Sequence, residues 1–189
     1  MTVSDIFTWG SQTILVALVG IYLSSKLGGN AAKFVGIGTG IYYLTRSLTQ
    51  IPIGIMLDKI NHDKDEIIAL VIGSILMGLP YLFYSLIKSE YTYYALQAVF
   101  GLGASMNLVS WRKLFSQNLD TGKVGIEYGI YETLMSAVTA IFSIIAGIVA
   151  NTSLIYFERV IYALGVIMIS GSIFAWSLAS VINRKTINI

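Results

Sequence analysis

Cysteine is absent from the chain and histidine occurs once, at His62. Without cysteine there is no disulfide and no thiolate metal site, and the redox compartment is left open. A lone histidine in a polar stretch cannot supply a membrane-embedded Ser/His pair, and no cluster of ligating residues completes a metal site. No catalytic residue, cofactor or metal is therefore expected. Charge is scarce as well: 12% of residues are Asp, Glu, Lys or Arg, the formal net charge is +2, and the basic residues form no stripe of the kind nucleic acid requires. No segment alternates apolar and polar residues over about ten positions, as barrel strands would. Neither a ring-forming acidic stretch nor a carbonyl filter marks a channel.

What remains is hydrocarbon: 56% of the residues are apolar. They fall into runs of about 20 residues, the length that crosses a bilayer core about 30 Å thick. The runs lie near 4–25, 33–57, 66–88, 91–111, 124–150 and 156–182, separated by LGGN, DKINHDKDE, KSE, RKLFSQNLDTGK and NTS. This pattern predicts an all-α membrane protein, a single domain of six transmembrane helices over residues 1–189. Lys59, Lys64, Arg112, Lys113, Lys123, Arg184 and Lys185 fall on one side of the bilayer, against Lys26, Lys33, Lys88 and Arg159 on the other. By the positive-inside rule both termini face the cytoplasm, in a multi-pass protein of the plasma (inner) membrane. The first run has no cationic residues before it and no small-residue cleavage site, so it reads as a retained helix.

The stretch IPIGIMLDKINHDKDEIIAL, Ile51 to Leu70, concentrates charge between two apolar walls. Its Gly54, Asp58, Lys59 and Lys64 reproduce the spacing G-x-x-x-D-K-x-x-x-x-K, which resembles the loop between helices two and three of the major facilitator superfamily. Asp120, Lys123, Gly125 and Gly129 resemble the same family's approach to its fifth helix, and the whole chain looks like one six-helix half of the usual twelve-helix transporter. The resemblance implies a secondary transporter, facilitated or ion-coupled. It works by alternating access as a homodimer of two halves, with Gly54, Asp58, Lys59 and Lys64 in a gate and Asp58 latching onto the partner's fifth helix near Gly122 to Gly125. A non-transporting subunit paired with a different six-helix protein is the alternative. Two departures matter. Gln97 stands where the family carries an arginine four residues before a glycine, here Gly101, and AIFSIIAGIVA lacks the Gly-Pro pair of the antiporter branch. A role for protons is in doubt on the first ground, and a drug/proton antiporter is disfavoured on the second.

Ionisable side chains inside hydrocarbon cost about 2.5 to 3.5 kcal/mol on insertion scales and are functional candidates by default. Arg46, near the middle of helix two, and Glu132, two turns inside helix five, meet that description, either as a structural ion pair or in coupling. At matching depths they could join two protomers, Arg46 of one chain to Glu132 of the other. Helices one and four, which line the central cavity in the resembling family, carry Trp9, Gln12, Gln97 and Asn107. With Tyr43 these amides and rings suit a small, polar, hydroxyl-rich solute such as a sugar. Interhelical hydrogen bonding is the competing role for such residues. Tyr81, Tyr84, Tyr91, Tyr93, Tyr94, Tyr156 and Tyr162 sit near helix ends and read as interfacial anchors, whereas Tyr42 and Tyr43 should face protein. Gly36 with Gly40, and Gly101 and Gly103 with Ala104, read as close-packing surfaces.

Overall fold

A computed structural model describes residues 2–59 and 63–187; His62, expected to be solvated, lies outside the described residues. A long helical segment occupies each apolar run. The first is interrupted: α1 (Thr2–Asp5) passes through a π-helical turn at Ile6–Gly10 into α2 (Ser11–Leu27). A 3-10 turn at Gly28–Asn30 leads to α3 (Ala31–Lys59). Next come α4 (Asp63–Leu82), a second 3-10 turn at Tyr84–Leu86, and α5 (Glu90–Gln117). The last two helices are α6 (Val124–Ala150) and α7 (Leu154–Ile187). No strand occurs among the described residues. Ser89 starts α5, its hydroxyl accepting the Thr92 N–H. That helix outlasts its apolar run because Trp111 and Leu114 are buried against Ile67, Leu70 and Ala175, which keeps the extra turns packed.

Four stretches are long and apolar enough to cross a membrane by length and composition: Thr2–Ser25, Lys64–Leu86, Val124–Ala150 and Leu154–Leu178. The expectation of six such spans is met at these four. The polar content of the other two long helices explains the difference. Buried Gln97, Ser105, Asn107 and Ser110 dilute α5, and Thr45, Arg46, Ser47, Thr49 and Gln50 dilute α3. The molecule is an all-helical membrane protein whose apolar interior also holds polar side chains and whose surface carries many large apolar ones. Ser4, Asp5, Thr8, Ser74 and Asn107 are inside, while Leu48, Ile51, Ile144 and Ile148 face outward.

The helices meet along three main seams, α3 with α5, α5 with α4, and α4 with α7. Backbones approach so closely there that a side chain would not fit. A Cβ on Gly73 of α4 would lie 2.6 Å from the Asn107 N of α5, and one on Gly78 would lie 2.6 Å from the Gly165 O of α7. One on Gly101 of α5 would come 2.6 Å from the Tyr42 O of α3. Gly101, Gly103 and Ala104 thus pack as expected. Gly36 and Gly40 face open space, and Gly54 approaches only Val109, at an ordinary 3.9 Å. The period-four spacing marked a helix face without saying whether a helix of the same chain covers it.

Candidate functional site

Two cavities flank the middle of the bundle, and their walls differ in chemistry. One, about 130 Å³, is lined by Gln12, Thr39, Tyr42, Tyr43, Tyr84 and Gln97, with Tyr81, Tyr93 and Phe100 completing the aromatic wall. No Asp, Glu, Lys or Arg lines it. Tyr81, Tyr84 and Tyr93, expected at the bilayer interface, are buried here, with ring centroids 4.9 Å apart for Tyr81 and Tyr84 and 6.2 Å for Tyr84 and Tyr93. Edge and tilted ring contacts of this kind compensate the loss of interface solvation. Gln97 Nε2 donates to the Tyr84 hydroxyl at 3.1 Å, which fixes the amide against the wall. Tyr91, Tyr156 and Tyr162 are exposed, as anchors would be. Tyr42 is buried, whereas Tyr43, expected to face protein, is 57% exposed and forms the cavity's outer edge.

The second space, an open cleft of about 580 Å³ toward the α3–α4 end, is lined by Asp5, Trp9, Trp111, Arg112, Tyr131 and Glu132, among others. Glu132 is exposed there. Between the two spaces runs a polar seam. Trp9 Nε1 donates to Asn107 Oδ1 at 2.8 Å, Asn107 Nδ2 donates to Ser74 Oγ at 3.0 Å, and Thr8 Oγ1 donates to the same Ser74 oxygen at 3.3 Å. Asn107 is 1% exposed and lines neither space; its amide is committed to holding the π-helical turn, α4 and α5 together. Arg46 closes the seam on the α3 side. Its Nη1 donates to the Tyr42 hydroxyl at 3.0 Å and its guanidinium sits 5.8 Å from the Trp9 ring centroid. Arg46 therefore joins a ring of the tyrosine cavity to a ring of the cleft. Arg46 and Glu132 make no ion pair with each other among the described residues.

At the α3–α4 end a single lysine gathers three helices. Lys113 Nζ lies 2.8 Å from Glu66 Oε1 of α4 and 3.2 Å from Asp58 Oδ1 of α3, and donates to the Leu57 carbonyl at 2.8 Å. An ammonium has three donors, and all are used. The Glu66 carboxylate, partly offset by desolvation and helped by Asp58, holds the Lys113 ammonium above the usual lysine range. Each partner suits its place: a cation meets the carbonyl end of α3, and Glu66 sits in the first turn of α4. Within the chain the partner of Asp58 is thus Lys113, in the part of α5 that extends past the expected run of 91–111. Lys59 and Lys64 are exposed beside this bridge. The sequence counted Lys113 only as a loop charge and passed over Glu66. The signal available was an acid just inside an apolar run, and the same signal at Asp5 also went unused.

No curated protein and no solved structure matches the chain. A family model does, over residues 2–188, and its description is Major Facilitator Superfamily. A helical membrane bundle, a polar seam through its middle and a charged bridge at the helix two–three loop accord with that match, and the chain belongs to the Major Facilitator Superfamily, a family of secondary transporters.

Proposed function

We propose that residues 2–188 form one half of a translocation unit, that two copies pair as a homodimer, and that the unit carries a small, uncharged polar solute of the sugar type by alternating access. The tyrosine cavity is the observation that carries this reading. Its rings can cover the apolar face of a solute, the Gln12 and Gln97 amides both donate and accept, and no charged wall is present to pair an ion. Its volume of about 130 Å³ falls short of the roughly 300 Å³ at which small-molecule sites begin. A second copy would supply the missing wall. The outward apolar residues of α3 and α6, such as Leu48, Ile51, Ile130 and Leu134, are surfaces such a partner could cover. In this reading the Asp58–Lys113–Glu66 bridge belongs to the cytoplasmic gate, beside Gly54, Lys59 and Lys64.

The test is uptake into proteoliposomes of labelled monosaccharides and polyols, with amino acids and organic acids for comparison, alongside crosslinking of the reconstituted protein. The expected result is uptake of a neutral solute by a crosslinkable dimer, reduced at least tenfold by Gln97→Ala. Uptake no greater than in protein-free vesicles, preference for charged solutes, or a strictly monomeric or heteromeric particle would overturn it.

A further inference from the structure

Two recesses belong to neither the tyrosine cavity nor the charged cleft, and both lie in the gap between the first span, α6 and α7. The narrower, about 110 Å³, is lined by Phe7, Ser11, Ile14, Thr139, Phe142 and Leu164, among others. Its only polar side-chain groups are the Ser11 and Thr139 hydroxyls. The wider, an open cleft of about 610 Å³, is lined by Leu18, Ile21 and Ser25 of α2, by Gly147 and Asn151 of α6, and by Ser153 in the turn before α7. One helix face serves both. Phe7, Ser11, Ile14, Leu18, Ile21 and Ser25 follow one another at steps of three or four residues, the spacing of a single stripe, so the two recesses are stations of one groove.

The groove has a closed end and an open one. At the closed end the Ser4 hydroxyl donates to the Gly171 carbonyl and Asp5 accepts the Tyr131 hydroxyl, which ties the first span to α7 and α6. Gly10 lets α6 come close there, since a Cβ at that position would lie 3.2 Å from Thr139 Oγ1. Toward the open end α6 buries only Ala146 and Ala150, small side chains that leave room beside them, and a Cβ on Gly147 would meet nothing within 4 Å.

Depth says what can enter. Residues 138–142 lie just past the middle of the span Val124–Ala150, and Leu164 and Ile167 straddle the middle of Leu154–Leu178. From Asn151 to Thr139 the axis of α6 covers about 18 Å, at about 1.5 Å per residue. One leaflet of hydrocarbon is about 15 Å deep, half of a core of about 30 Å. The groove therefore runs from the bilayer interface to its midplane. A pocket so apolar stays dry, and left unfilled its lining would forfeit dispersion contacts. An apolar cavity of about 150 Å³ admits benzene, so this one has room for the last few carbons of a chain. No Lys or Arg lines the cleft at the interface; an amide and hydroxyls do, and these suit the linkage between head group and chains better than a charged phosphate.

We infer that the groove holds one hydrocarbon chain of a bilayer lipid, with the linkage to its head group beside Asn151 and Ser153 and its terminal carbons between Ile14 and Leu164. The lipid braces α6, which packs on its own chain through few side chains, and it is recognised by its chain rather than by the charge of its head. At 3.6 residues per turn, Thr139 and Gly147 stand roughly 100 to 180° round α6 from Ile130 and Leu134. The groove thus lies away from the face offered to a second copy, and the site does not rest on the transport reading.

The experiment is photolabelling in phosphatidylcholine vesicles doped with an analogue that carries a diazirine at the chain end, mapped by peptide mass spectrometry. Ile14 and Leu164 are 3% and 6% exposed, beyond the reach of lipid lying on the surface; Met168, at 0%, sets the background and Ile144, at 64%, the surface level. Label at Ile14 and Leu164 should exceed that at Met168 at least fivefold. Gly147→Leu, which obstructs the groove in open space, and Ser11→Leu, which fills the pocket, should each remove that excess while label at Ile144 persists, with folding checked by melting. A phosphatidylglycerol analogue should label equally, and a diazirine beside the ester should miss both residues. Background labelling of Ile14 and Leu164 in the wild type, which means a pocket left empty or covered by protein, would overturn the inference. So would label that Gly147→Leu leaves unchanged, or a preference of more than fivefold for the anionic head.

Discussion

Lys113→Met should be among the most damaging single changes outside the glycine seams. The bridge has two unequal arms. Asp58 is 75% exposed, whereas Glu66 is 2% exposed, and Glu66 Oε2 has no hydrogen-bond partner among the described residues. The Lys113 ammonium is thus the cation that compensates the buried Glu66 carboxylate. Removing one partner of a buried pair costs about 3 to 5 kcal/mol, because the other charge stays buried and unpaired. An exposed pair is worth about 0 to 1 kcal/mol. Lys113→Met should therefore lower the melting temperature by roughly 6 °C or more, at about 2 to 4 °C per kcal/mol for a chain of this size, and Asp58→Asn by no more than a few degrees. Adding Glu66→Gln to Lys113→Met should recover most of the loss, since the amide leaves no charge behind. The assay is thermal unfolding in mild detergent of the wild type and these three variants side by side. If Asp58→Asn proves as harmful as Lys113→Met, or if Glu66→Gln fails to rescue, burial of Glu66 is not what gives the bridge its strength.

Three further outcomes follow from the same contacts. The folded state holds Lys113 above the usual lysine range, so its stabilising share is complete below about pH 10.5 and declines only as pH rises through the raised value. The melting difference between wild type and Lys113→Met should stay constant from neutral pH to that point; a difference that collapses near pH 8 would contradict the sign. Trp9→Phe removes the donor to Asn107 Oδ1 and weakens the Arg46 contact. It should cost about 1 to 3 kcal/mol in chemical unfolding, whereas a neutral effect would mean the seam is not holding α5. Gly73→Ala and Gly78→Ala should each destabilise by about 1 to 3 kcal/mol through backbone overlap, while Gly40→Ala, in open space, should be neutral or slightly stabilising; equal effects at the three positions would refute the packing.

The helix positions were legible because a run of apolar residues long enough for a bilayer is a one-dimensional signal, and the family spacing at Gly54, Asp58, Lys59 and Lys64 is one as well. Pairings across helices were not. Lys113 and Glu66 are far apart in the chain and meet through the α4–α5 crossing, which Gly73 and Gly103 permit. Tyr84 and Tyr93 look like interface anchors by position and become cavity walls because α4 gives way to a 3-10 turn after Pro80, bringing Tyr84 beside α5. Gln97 and Asn107 read alike as intramembrane amides. Ten residues along α5 separate a side chain facing space from one spent on Trp9 and Ser74. Periodicity alone does not distinguish those two fates.

The separation of charge between the two spaces bears on how a transporter of this shape could work. A solute in the tyrosine cavity meets rings and amides and no charge, while Asp5, Arg112 and Glu132 lie along the cleft. Among the described residues of the seam, Arg46 contacts a ring from the wall of each space, bonded to Tyr42 and set over Trp9. A ligand that moves Tyr42 changes the seat of a guanidinium, and a charge change in the cleft alters the field acting on that same guanidinium. Both events bias one two-state element, which is the physical requirement for coupling. A methionine at position 46 keeps much of the side-chain bulk and loses both contacts. Arg46→Met should therefore lower solute affinity measurably in calorimetry while leaving the fold intact. An unchanged affinity in this variant would place the solute's response somewhere other than the seam.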